Sequence, residues 1–184
     1  MKYSVIIVFC CFLLGSCEGE VLPKPNALLR LEYPDTEHTT FKGDHFTLDR
    51  NVMASIKSKK GNSFILDYPL MQGSIFITYK EINGDLDKLL TDAQRLSYEH
   101  AVKADNILEQ PFVNEEGKVY GMYYEVKGNA ASQAQFYVTD STAHFVTGSL
   151  YFHAKPNYDS ILPAAAYLQN DIRRIMETLK WIDE

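Results

Sequence analysis

The chain has 184 residues, 12% of them aromatic, with 24 acidic against 18 basic residues for a formal charge of −6. That length suits one domain with a single core, and the acidic balance excludes a reader of nucleic-acid backbones or a polybasic membrane patch. The cysteines are Cys10, Cys11 and Cys17, so everything after them is without a thiol, which excludes there a disulfide framework, a cysteine-ligated metal and a cysteine nucleophile.

Met1-Lys2 opens the chain, and Tyr3 to Leu14 is an apolar stretch of signal-peptide length, too short for a comfortable membrane-spanning helix. Leu14-Gly15-Ser16-Cys17 follows directly. Small residues before a cysteine admit the peptidase to the backbone, and the thiol takes the lipid. The pattern therefore predicts a lipoprotein signal peptide over residues 1–16 and acylation at Cys17, with residues 17–27 as a tether and 28–184 as a single domain. Two or more acyl chains anchor a protein stably where one does not. Glu18, rather than an aspartate, follows the cysteine, which favours the inner leaflet of the outer membrane, with the domain facing the periplasm.

Leu28 to Tyr33 reads as an edge strand and Pro34 to His45 as a polar surface loop. Val52, Ala54 and Ile56 alternate with Met53, Ser55 and Lys57, as in a half-buried strand. Lys59 to Asn62 and Gln72-Gly73 are turns that bound strands at Phe64–Tyr68 and Ser74–Glu81, so the three strands form an antiparallel meander. Asp85 is placed to cap a helix whose stripe is Leu86, Leu89, Leu90, Ala93, Leu96 and His100, ending near Lys103. Asn106–Phe112, Val119–Lys127, Gln133–Thr139 and His144–Phe152 read as four further strands, joined by Glu115 to Lys118, Gly128-Asn129 and Asp140 to Thr142. A last helix opens at Asn157 to Ser160, with Pro163 in its first turn and Leu168, Ile172, Ile175 and Met176 on its apolar face; Trp181 packs down behind it. The order predicts an α+β fold, an antiparallel sheet of about six to seven strands covered by two main helices.

Few residues suggest chemistry. His38 and His45 lie in the loose N-terminal region, and His100 sits on an apolar helix stripe as a core histidine. His144 and His153 fall on opposite faces of one strand, and no metal-ligand spacing appears. Neither a cofactor nor a metal is expected. Asp140, Ser141 and His144 form the one Ser/His/Asp cluster, but Asp-Ser-Thr between aromatic strands is also what a β-turn prefers. Glu109, Glu115, Glu116 and Glu125 are candidates for the paired carboxylates of a glycosidase. The strands carry a dense aromatic set, from which Tyr123, Tyr137 and Tyr151 are chosen as a partner-binding surface.

The run Ser132-Gln133-Ala134-Gln135-Phe136-Tyr137-Val138-Thr139-Asp140-Ser141-Thr142, continued by His144-Phe145, Gly148 and Leu150-Tyr151-Phe152, resembles the gliding motility lipoproteins of the GldD family of Bacteroidetes. Lys24-Pro25, Tyr68-Pro69, Ile77-Thr78-Tyr79-Lys80 and Thr178-Leu179-Lys180-Trp181 also resemble that family. The resemblance implies a lipid-anchored envelope protein that serves gliding and the associated type IX secretion machinery. It carries over Cys17 as the lipidation point and no catalytic residue. The element order resembles a Mog1/PsbP-like α/β/α sandwich. The expected role is non-enzymatic, an assembly or stabilising factor whose partners are other envelope lipoproteins or components of the secretion and motility machinery. The alternatives are an envelope hydrolase acting on glycan or peptide, favoured by converging carboxylates or by a serine within reach of a histidine, and a small-ligand binder with an apolar cavity at Leu90, Phe136 or Leu168.

Overall fold

A computed structural model describes residues 33–34, 37–58, 62–99, 103–153 and 157–182. The signal peptide, Cys17, the tether, the strand expected from Leu28 and His100 all lie outside these residues. The centre is a seven-stranded antiparallel sheet, in the order β3-β4-β5-β9-β8-β7-β6. Its strands are β3 (Ser55–Ser58), β4 (Ser63–Tyr68), β5 (Gly73–Glu81), β6 (Ala104–Asn114), β7 (Val119–Gly128), β8 (Ser132–Thr139) and β9 (His144–Phe152). The expected meander is β3-β4-β5, and the α+β class with two helices and a seven-stranded sheet is as expected.

Helix α1 (Leu86–Glu99) and helix α2 (Tyr158–Thr178) pack on opposite faces of this sheet. Register shows why. Phe136 pairs with Gly148 on β9 and Tyr123 on β7, and these positions face α2. Gln135, one residue away, points to the other side, where Ser97 of α1 donates to its side-chain oxygen at 3.3 Å. The α2 face holds the main core. Leu168, Ile172, Ile175 and Met176 recur at helical spacing and are at most 2% exposed, against Leu66, Ile75, Ile77, Val138 and Leu150 of the sheet. Each such fully buried side chain stabilises the fold by about 1.5–3 kcal/mol relative to exposure.

A second, three-stranded sheet was not expected. It has the order β1-β2-β10, from β1 (His38–Lys42), β2 (Phe46–Asn51) and β10 (Lys180–Trp181). The stretch read as a loop up to His45 therefore contains a strand. β1 is polar because it is an exposed edge, and its pairing to β2, Phe41 opposite Leu48, sets its conformation. The strand expected to start at Val52 is also displaced. Asn51 ends β2, its side-chain oxygen accepts the Met53 N–H at 2.9 Å, and its carbonyl accepts the Ala54 N–H at 3.1 Å. That turn breaks the apparent alternation, leaving Val52 and Ile56 exposed and Ala54 buried.

Both helices differ in detail from expectation. On α1, Leu89 and Ser97 are buried while Leu96 is exposed. The Ser97 hydroxyl, bonded to Ala93 O and Gln135, lets a polar residue face the sheet. Pro163 lies inside α2 rather than in its first turn.

Candidate functional site

Residues from five distant stretches meet at one end of the α2 face and form an open cleft of about 910 Å³. The β8–β9 loop forms one wall. Asp140 Oδ1 accepts the backbone N–H groups of Thr142, Ala143 and His144 at 2.9, 2.9 and 2.8 Å, and Oδ2 accepts the Thr142 hydroxyl at 2.7 Å. Burial pushes the carboxyl up, but these donors outweigh it and hold its pKa down to about 2. Ser141 turns the chain at φ 67°, and its N–H donates to Thr139 Oγ1 at 2.9 Å.

The floor is aromatic. His45 stacks on Tyr79 with centroids 4.1 Å apart, and the Tyr79 hydroxyl is hydrogen-bonded to His144 Nδ1 at 2.8 Å. The His144 ring stacks on Trp181 at 5.1 Å and 15°. Trp181 Nε1 donates to Lys118 O in the β6–β7 turn at 3.0 Å, and Phe46 meets the indole edge-on at 6.5 Å. Pairing of Trp181 with Phe46 and of Tyr79 with Val146 delivers these rings to one place. Sequence reasoning sets His45 aside in a loose region and gives Tyr79 and Trp181 no site role. Their signal is long-range pairing, which no local pattern carries.

This geometry settles the role of the Asp140, Ser141 and His144 cluster as a turn lock. A triad needs the carboxylate on the imidazole and the imidazole on the serine. Here Asp140 bonds backbone and Thr142, His144 bonds Tyr79, and no hydrogen bond joins Ser141 Oγ to either. A second serine, Ser74, lies 3.0 Å from His153 Nε2, but its hydroxyl donates to Asp67 Oδ1 at 2.7 Å. The order is Asp-Ser-His rather than Ser-His-Asp, and Ser74 is 1% exposed. Asp67 is held below the ordinary carboxylate range by hydrogen bonds from Lys57 and Ser74. His144 and His153 sit at opposite ends of β9, roughly 30 Å apart at the rise of an extended strand.

The carboxylate candidates do not converge. Glu109 is opposite Tyr124 and Glu125 opposite Leu108, so the two point to opposite sheet faces. Glu125 is paired with Arg173 and Lys127, Glu109 accepts from Tyr98, and Glu115 and Glu116 are exposed in the turn. Among the described residues no group of three or more metal-ligating side chains is placed to hold a metal ion, and no helix is long and apolar enough to cross a membrane. Phe136 and Leu168 belong to the packed core and do not line the cleft.

The proposed surface of three tyrosines needs correction. Tyr123 is 2% exposed, faces α2, and has the Arg173 guanidinium 4.7 Å from its ring centre. Tyr123 pairs with Phe136, so Tyr137 points the other way, and Tyr151 shares the face of Tyr137. Both are partly exposed. On that face Tyr137 stacks on Phe145 at 5.7 Å and Phe76 meets Tyr151 edge-on at 5.5 Å. The register error arose because side-chain parity between strands is invisible without the pairing.

Fold and site together define a class: an antiparallel α+β domain with an aromatic-floored, charge-rimmed cleft on one face of the sheet and a half-covered aromatic surface on the other. The chain matches the family model of the gliding motility lipoprotein GldD over residues 18–181. It therefore belongs to that family, a family of lipid-anchored envelope proteins linked to gliding motility. No curated protein matches the chain.

Proposed function

We propose that this lipoprotein is a non-enzymatic assembly or stabilising factor for gliding and the associated type IX secretion machinery. It is held by lipid on Cys17 in the inner leaflet of the outer membrane, faces the periplasm, and acts by contact with other envelope lipoproteins or machinery components. The observation that carries this reading is the α1 face of the sheet. A helix of 14 residues covers part of it, while Phe76, Tyr120, Met122, Tyr137 and Tyr151 remain partly exposed beside Val113, which is 65% exposed. Apolar and aromatic area of this kind marks a contact surface. Confinement to a membrane plane raises the effective concentration of such a surface near anchored partners.

The test is a Cys17→Ala strain. Cells should make a folded but unanchored product and lose motility and secretion. Retention of both with a freely soluble product would overturn the positional mechanism.

A further inference from the structure

We propose that the cleft at the β8–β9 loop is a binding site for a neutral oligosaccharide. It lies on the α2 face, away from the surface assigned to protein contacts, so the two readings stand separately. The first ground is the mixture of charge around the rim. Glu81, Glu116 and Glu177 line the cleft together with Lys118 and Lys180, and none of the five is in an ion pair among the described residues. A site for a cationic peptide has no use for the two ammonium groups. A site for an anion is opposed by these three carboxylates and by Asp140, which also lines the cleft. A ligand carrying many hydroxyl groups, each both donor and acceptor, satisfies a rim that offers both acceptors and donors.

The second ground is the floor. Sugar rings are polar at their edges and apolar across their C–H faces, and they bury those faces on flat aromatic rings. Trp181 lines the cleft, is partly exposed, and is fixed in orientation by His144 on one face, Phe46 at its edge and Lys118 O on its N–H. A platform already held in place loses little freedom on binding. The third ground is size. About 910 Å³ is near the top of the roughly 300–1,000 Å³ range of small-ligand sites, which suits several linked sugar units better than one.

Trp181 is the single tryptophan of the chain, so its fluorescence reports this site alone. The intact protein in detergent micelles is titrated with chitotetraose, cellotetraose and maltotetraose, and in parallel with a lysine-rich and a glutamate-rich peptide. At least one of the three sugars should change the emission saturably, and neither peptide should. Glu177→Gln and Lys118→Ala, both rim changes outside the core, should each weaken that response several-fold with an unchanged melting temperature. No response to any of the three sugars at millimolar concentration, a response to a peptide instead, or sugar binding indifferent to both variants would overturn the proposal. Cleavage of a bound sugar would uphold the site and contradict the non-enzymatic reading.

Discussion

Asp140 and His144 meet through the backbone, the carboxylate taking the His144 N–H at 2.8 Å while the imidazole turns away to the Tyr79 hydroxyl. A pair that sequence offers as half of a triad is thus divided between a loop lock and a ring stack. Asp140→Ala leaves three backbone N–H groups without their acceptor. Each unpaired buried donor costs about 1–3 kcal/mol, and partial exposure of this loop puts the total near the lower figure. Chemical denaturation should show a loss of about 1 kcal/mol.

The same carboxylate sets an acid limb. Its folded pKa is about 2 against an ordinary 3.8. Its contribution to stability is therefore present above 3.8 and is lost as pH falls through about 2. Melting temperatures across that window should fall more steeply in the wild type than in Asp140→Asn.

Asp171 behaves in the opposite sense. It is 5% exposed, accepts from Asn51 Nδ2 at 2.9 Å and has His38 Nε2 at 3.8 Å. Burial raises its pKa above 3.8, outweighing the Asn51 hydrogen bond. The stability it contributes is complete below 3.8 and is lost as pH rises through the folded value. Relative to Asp171→Asn, the wild type should therefore gain stability as pH falls from neutrality towards 4, measured by paired melts.

Gly148 and Phe136 form a cross-strand pair in which the ring takes the place of a side chain. A Cβ on Gly148 would lie 2.0 Å from Phe136 Cε1. Gly148→Ala should cost at least about 1–3 kcal/mol by overpacking. Phe136→Leu alone should also destabilise, by opening a cavity. The double variant should be more stable than the sum of the two losses, because the smaller side chain admits the new methyl group. A double-mutant cycle by denaturation reads this coupling.

Much of the central sheet was legible in the sequence. β4, β5, β7, β8 and β9 show strand composition between turn residues, and α2 shows its 3.6-residue stripe, because each of these patterns is local. β1, β2 and β10 were not, since their partners are distant: Lys180 pairs with Thr47. The cleft suffered the same way. Its loop wall was visible as Asp140 to His144, but Trp181 joins it only through pairing with Phe46, and Tyr79 through pairing with Val146. Parity misled once, at Tyr123. Adjacent strands each present one aromatic set to either face, and only the observed register assigns Tyr123 to the core.

That assignment separates two kinds of variant. Tyr123→Ala removes a buried ring and should cost about 3–5 kcal/mol of stability, whereas Tyr151→Ala, at a partly exposed position, should cost less and impair motility in a protein that remains folded. Denaturation curves of the two proteins beside motility of the two strains make the comparison.

Docking through the α1 face is tested most directly by a photoreactive residue placed at Tyr151 in living cells, irradiated and then probed for adducts. A discrete adduct with an envelope protein should form, and should disappear when Cys17→Ala releases the chain from the membrane. The absence of any adduct in motile, secreting cells, or an adduct indifferent to the Cys17 substitution, would contradict an anchored surface that works by contact.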